Sequence, residues 1–428
     1  GIFIVFGLIF SITESLNNKF IFSSFGKIGI IVTGAIGTFV HELSHLIMCL
    51  IFMHKINSVK FFRPIESKND GILGYVSHSY KKDNLYQSIG NFFIGIAPII
   101  GGTVMIILIF KILLPDSYMK VTQNIDLNLY PEDSYSDLKE SIIDYINISG
   151  VSKKNLLVGN GSSEIIDLII HTFVDKDEVI LSFSPSFSMY SIYSQINGSK
   201  FIGVESDENL VIDIDNVIEK VKENNPKIVI VCNPNNPTGT ILKRKDIKKL
   251  LDSTNSLVVL DEAYMDFGEE SMLSDVFKYD NLIVLRTLSK AFGLAGIRTG
   301  YMLSNSSLIN SVEKVRPPYN LNSLSDFIAT RALRNKDVVK AYIKEVKEER
   351  KILYEEMIGM GIKAYKSQAN FILFYSEIEN LSQKLIDRGV LIRKFGGKLE
   401  NYYRVTIGDK EENAMFIGAI RDILKKEK

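Results

Sequence analysis

Cysteine is nearly absent from this chain. Only Cys49 and Cys232 occur in 428 residues. They stand far apart in dissimilar settings, so neither a disulfide framework nor a metal knuckle can be built from them, which fits a reducing compartment for the larger part. Net charge is missing too: 50 lysines and arginines balance 50 aspartates and glutamates. That balance argues against nucleic acid or an acidic surface as partner. The chain shows no repeat, no low-complexity tract and no long flexible linker. It begins at Gly1 rather than methionine and enters Ile2-Phe3-Ile4-Val5-Phe6 directly, so we expect the true N-terminus to be missing. Without a basic n-region or a small-residue cleavage site, the stretch does not read as a signal peptide. The length leaves room for two or three domains and an ample core.

What is present divides near residue 118. Residues 1–118 are very apolar, with runs at about 2–10, 28–53 and 91–114, while 119–428 reads as ordinary α/β sequence. The third run carries a single charge, Lys111, and is long enough as a helix to cross the ~30 Å hydrocarbon layer; so is the second. Residues 1–118 are therefore expected to be an all-α membrane segment, with the remainder membrane-associated on the cytoplasmic side. Inside the second run stands His41-Glu42-Leu43-Ser44-His45. On a helix His41 and His45 share a face and can reach one Zn²⁺, with Glu42 beside the metal-bound water as general base. Polar groups in an apolar helix are costly and default to a functional reading. The plainer alternative is an anchor whose histidines are hydrogen-bonded internally. His54 and His78 read as solvated or interfacial. The region resembles small intramembrane metalloproteases of the site-2 protease type, in which an aspartate from a later, Asn-Pro-rich helix is the third ligand. Asn91, Pro98, Gly101 and Gly102 echo that helix, but it contains no aspartate.

From residue 132 helix-like and strand-like segments alternate. Apolar spacing predicts a helix over 138–148, capped at Gly150. A short strand over 155–158 runs into Gly159-Asn160-Gly161-Ser162-Ser163-Glu164, followed by a helix over 165–173. Such a turn presents free backbone N–H groups to a phosphate, though an ordinary tight turn reads alike. Segment 178–181 is strand-like. Ile228-Val229-Ile230-Val231, Leu257-Val258-Val259-Leu260 and Leu282-Ile283-Val284-Leu285 are continuous apolar strands of the kind buried in parallel sheets. Their carboxyl ends deliver Cys232 to Gly239, Asp261, and Thr287 to Lys290, where an open α/β sheet places its ligand. After Asn335 longer helices, then strands near 370–374 and 402–407, predict a smaller second domain over about 336–428, beside a large one over about 130–335.

Lys290 lies in Thr287-Leu288-Ser289-Lys290-Ala291-Phe292-Gly293-Leu294-Ala295-Gly296-Ile297-Arg298. A primary amine framed by small hydroxyls, with an arginine eight positions on, suits an aldehyde cofactor bearing a phosphate: pyridoxal 5'-phosphate. With Tyr130-Pro131, the glycine turn, Pro185-Ser186-Phe187, Asn235-Asn236-Pro237-Thr238-Gly239, Asp261-Glu262-Ala263-Tyr264 and Tyr403-Arg404-Val405-Thr406, the stretch from about Leu127 onward resembles the fold-type I aminotransferases. Among these it is most similar to the histidinol-phosphate aminotransferases. The resemblance implies the α/β PLP-dependent transferase fold, a mostly parallel large domain plus a smaller α+β one. Lys290 would hold the cofactor as a Schiff base and shuttle the substrate proton, aided by partial burial and nearby positive charge. Asp261 would pair with the ring nitrogen; an acid after a strand is otherwise a helix cap. Tyr264 and Asn236 would bond the phenolic oxygen, and Phe187 would stack on the ring. Ser162, Ser163, Thr287, Ser289 and Arg298 would hold the phosphate. Tyr130 would reach the phosphate of the other subunit of a homodimer, and Arg404 would clamp the substrate carboxylate.

The family's N-terminal arm before Tyr-Pro, with its Asn-x-Asn-Pro-aromatic-Gly signature, has no counterpart here. We read the chain as a fusion in which an apolar segment replaces that arm. The expected activity is amino transfer between an amino acid or amino-phosphate, such as histidinol phosphate, and a 2-oxo acid. Alternatives are a threonine-phosphate decarboxylase-like enzyme on the same cofactor, a membrane zinc metalloprotease with a passenger domain, and an inactive, membrane-anchored cofactor-binding module.

Overall fold

The computed structural model describes residues 37–63, 73–81, 84–113 and 128–427. The apolar run 2–10 and the Leu114-Pro115 stop lie outside them. Two compact units divide the chain, Gly1–Asn124 and Ile125–Lys428.

In the first unit, residues 37–51 form a helix, α1. An antiparallel pair follows, β1 (Lys55–Lys60) and β2 (Tyr75–Ser79), with a register shift between Ile56 and Ser58. Then comes α2 (Leu85–Leu113), with Pro98 inside it. The unit is therefore not all helical. Among the described residues no helix is long and apolar enough to cross a membrane, which overturns the expected membrane-associated placement. The described part of the second apolar run is only α1, about 22 Å long at the helical rise. The third run is the latter part of a helix that opens on Tyr86, Gln87 and Ser88.

His41 and His45 do share a face of α1, with their Nε2 atoms 3.2 Å apart. His45 Nδ1 lies 2.8 Å from the Ile94 carbonyl of α2. Where a third ligand was sought, α2 thus offers a backbone carbonyl, and among the described residues no three His, Cys, Asp or Glu side chains gather as a metal group. Nor is His54 solvated: it is buried, with Nε2 donating to the Gln87 carbonyl (2.8 Å) and Nδ1 3.0 Å from His78 Nδ1.

The second unit is built on a seven-stranded sheet. Its strands are β3 (Leu156–Gly159), β4 (Val179–Ser184), β5 (Lys200–Glu205), β6 (Ile228–Cys232), β7 (Leu257–Asp261), β8 (Leu282–Thr287) and β9 (Gly300–Leu303). The order is β3-β9-β8-β7-β6-β4-β5, parallel except for β9, which runs against both neighbours. The continuous apolar runs follow from burial on both faces: Val258 and Leu260 enter one core, Leu257 and Val259 the other. The edge strand β5 and the short β9 escape the sequence reading because neither carries such a run.

Helix α3 (Ser136–Ile146) ends at Asn147, not at Gly150: Asn147 takes the left-handed conformation and its N–H bonds the Ile143 carbonyl. Helix α4 begins at Ser162, three residues earlier than the apolar spacing predicts, and ends at Phe173 as expected. Beyond the sheet, a long helix, Lys336–Gly359, leads to a four-stranded antiparallel sheet, whose strands are β10 (Lys363–Ala364), β11 (Phe371–Tyr375), β12 (Arg393–Lys394) and β13 (Tyr402–Thr406). That sheet packs with this helix and the last one, Lys410–Glu427, around a third core that includes Val346, Ile372, Phe374 and Phe416.

Candidate active site

Because β3, β4, β6, β7 and β8 run the same way, their carboxyl ends meet along one edge. A cavity of about 250 Å³ opens there, lined by Ser162, Ser163, Phe187, Cys232, Asn236, Asp261, Ala263, Tyr264, Thr287, Ser289, Lys290 and Arg298. Ten of the residues singled out from the sequence thus come to one place.

Phosphate chemistry gathers at one end. Helix α4 turns its N-terminal N–H groups toward the cavity at Ser162 and Ser163. Glu164, in its first turn, accepts from the Asn160 N–H and from Asn320 Nδ2, both at 2.6 Å, and so fixes the turn. Ser289 N–H donates to Thr287 Oγ1 (3.1 Å), and the two hydroxyls lie 3.0 Å apart. Gly300 sits in register with both Gly159 and Thr287. A Cβ on it would fall 2.4 Å from the Ser162 nitrogen and 2.7 Å from Gly161 C, so the cradle exists only with glycine there. Arg298 reaches the same turn, with Nη2 2.6 Å from where a Gly161 Cβ would stand.

At the other end Asp261, the last residue of β7, is buried. Tyr190 Oη donates to its Oδ2 (2.7 Å) and Ala263 N–H to its Oδ1 (3.1 Å). Burial pushes its carboxyl above the usual carboxylate range, opposed by these two donors and by Lys290. Lys290 is held below the usual lysine range, first by burial and then by Arg404, with Arg298 adding to this and Asp261 pulling back. Its Nζ lies 5.1 Å from the centre of the Tyr264 ring. Burial keeps the Tyr264 phenol protonated well past neutrality, so it remains a donor. Asn236 Oδ1 accepts from Arg404 Nη1 at 2.6 Å, leaving its Nδ2 to donate elsewhere. Arg404 lies over the Phe371 ring at 4.7 Å, and its Nε is buried without a partner.

Phosphate donors at a helix start, an amine held below the ordinary lysine range, a buried acid and an aromatic wall in one cavity fit pyridoxal phosphate. Tyr130 stands apart: it is 81% exposed and stacks on Tyr319 at 4.7 Å, outside the cavity lining. Three residues escaped the sequence reading. Cys232 and Tyr190 flank Asp261, and Arg393 faces Arg404 across the β12–β13 pair. Tyr190 was within reach, since it stands three residues after Phe187, a helical neighbour spacing. Arg393 has no signal short of strand register.

Behind the site a buried network holds the loop after β7. Arg286 Nε donates to Glu262 Oε2 and its Nη1 to Asp266 Oδ1, each at 2.9 Å, while the Met272 N–H donates to Glu262 Oε1 at 2.7 Å.

A family model, aminotransferase class I and II, matches residues 115–420. The histidinol-phosphate aminotransferase of Clostridium novyi (strain NT) is 40% identical over 300 residues, 69% of this chain and 83% of that protein. The histidinol-phosphate aminotransferase of Thermoanaerobacter sp. (strain X514) is 41% identical over 319 residues, 73% of this chain and 90% of its own length. Among solved structures, the histidinol-phosphate aminotransferase from Clostridium acetobutylicum superposes with a TM-score of 0.65 at 28% identity, over 70% of this chain and 92% of that one.

Proposed function

The chain belongs to the class I and II aminotransferases and is a pyridoxal-phosphate-dependent aminotransferase; we propose that it moves an amino group between histidinol phosphate, or an amino-phosphate of that kind, and a 2-oxo acid. The relatives' substrate supports this, and one geometric observation carries it. Arg393 and Arg404 are directly paired on adjacent antiparallel strands, so both side chains leave the same face of the sheet. Two guanidinium groups suit a phosphate as well as a carboxylate, because both anions accept paired N–H donors. One arginine pair can therefore serve the phosphate of the donor and the carboxylates of the acceptor in turn.

When bound, the cofactor supplies an electron sink that makes the donor Cα–H acidic. The residues of this chain do the rest. Lys290 would hold the cofactor covalently and, as a free amine, would move the substrate proton through Nζ. Asp261 would keep the ring nitrogen protonated. Tyr264 and Asn236 would donate to the phenolic oxygen, and Phe187 would cover the ring. Ser162, Ser163, Thr287, Ser289 and Arg298 would bind the phosphate, and Arg404 would orient the substrate so that its Cα–H lies where the amine can take it. Tyr130, exposed and stacked on Tyr319, would serve the phosphate site of a second copy in a homodimer.

The test uses the full chain loaded with cofactor. Histidinol phosphate should change the visible absorbance of the bound cofactor, and a 2-oxo acid should restore it. Lys290→Ala should abolish the initial band. Carbon dioxide release from threonine phosphate, with no amino transfer, would instead favour the decarboxylase.

A further inference from the structure

Tyr190 is a fully buried tyrosine that the reaction as described leaves without a task. It stands on α5 (Met189–Ile196), its ring packed edge-on against Phe187 at 5.5 Å. Its hydroxyl donates to Asp261 Oδ2 at 2.7 Å. Burial raises the pKa of this phenol well above its ordinary value, so it enters that bond as the donor. The remaining neighbour is Cys232, whose buried thiol is pushed up to about 12 and stays neutral.

We propose that Tyr190 is a positioning residue that decides where the proton between Asp261 and the cofactor ring nitrogen resides. In a dry pocket two arrangements compete: an ion pair, N–H⁺ beside a carboxylate, and a neutral pair, a bare nitrogen beside a carboxylic acid. Burial favours the neutral pair, and each hydrogen bond donated to the carboxylate favours the ion pair. Asp261 receives one such bond from the backbone, at Ala263, and one from a side chain, at Tyr190. Removal of the phenol hydroxyl makes the carboxylate more basic, and the proton passes from nitrogen to oxygen. The ring then draws electrons less strongly from the donor Cα. No binding contact to substrate changes.

The inference rests on Asp261 facing the ring nitrogen, and the test separates the two claims. Full-length enzyme is loaded with pyridoxal phosphate labelled with ¹⁵N in the ring, and its nitrogen chemical shift is read. Wild type should give a protonated nitrogen, and Tyr190→Phe should move the signal toward the unprotonated value. The same variant should lower kcat by roughly ten- to a hundredfold, the worth of a hydrogen bond to a charged group, with KM unchanged. In an Asp261→Asn background Tyr190→Phe should add nothing, since the group it acts through is gone. An unshifted signal in Tyr190→Phe, or additive losses in the double variant, overturns the proposal. An unshifted signal in Asp261→Asn overturns the pairing with Asp261, and the proposal with it. If Tyr190→Phe fails to fold, 3-fluorotyrosine at position 190 keeps the shape and strengthens the donor. The nitrogen signal should then move further toward the protonated value, and an unmoved signal counts against the role.

Discussion

Lys290 shows how a residue type becomes a reactive group only in place. The sequence supplies the amine and its hydroxyl neighbours; burial and Arg404 hold it below the ordinary lysine value of 10.5. The neutral amine is the reactive form, so cofactor uptake by the stripped protein should rise with pH and level off below 10.5. Arg404→Met removes a like charge and should move that midpoint upward, which stopped-flow absorbance across a pH series can follow. A midpoint unmoved, or moved down, would mean that Arg404 does not act on this amine. Lys290, Asp261 and Asn236 stood out in the sequence because each sits inside a run of distinctive neighbours, and all three line one cavity. Arg393 and Tyr190 were not, since their meaning comes from what they face across a strand pair or a helix-to-strand contact.

At the scale of elements, the loop from Asp261 to Tyr264 brings two side chains to the cavity, and its geometry is set from behind. Glu262 is wholly buried and shares Arg286 with Asp266. Glu262→Ala would leave a buried guanidinium short of its nearer partner and the Met272 N–H without an acceptor. It should cost about 3 kcal/mol of stability, as breaking a buried ion pair does; urea denaturation measures it, and an unchanged midpoint would show the network to be idle. The apolar strands β6, β7 and β8 were evident from composition because burial on both faces admits little else. Strands β5 and β9 were not: β5 lies at the sheet edge, and β9 is four residues paired antiparallel between two others. The end of α3 went to Asn147 rather than Gly150 because asparagine also tolerates the left-handed turn, and it came first along the helix.

For the whole molecule, cofactor binding should be coupled to folding through mass action, since the phosphate cradle and the amine exist together only in the folded unit. Pyridoxal phosphate at a hundredfold excess over its Kd should stabilise the full chain by about 2.7 kcal/mol, read as a rise in the thermal midpoint. Lys290→Ala should reduce that rise; an equal rise in the variant would place the cofactor elsewhere. The expectation of a membrane segment failed at this scale. Hydropathy along the chain counts apolar residues, whereas a membrane-crossing helix must be both long and apolar throughout. Among the described residues the second run yields α1, and the third is the latter part of a helix with a polar opening.

By itself the sequence determined the chemistry: which groups could bind a phosphate, hold an aldehyde and protonate a ring, and that parallel strands would carry them. It could do so because those groups are local neighbours of buried strands, and burial on two faces writes itself into composition. Only the tertiary structure decided which distant side chains meet. The Tyr190 bond to Asp261, the glycine floor between β3 and β8, and the pairing of Arg393 with Arg404 all depend on strand order and register. Those are settled by the packing of the whole unit, and no local pattern in the chain encodes them.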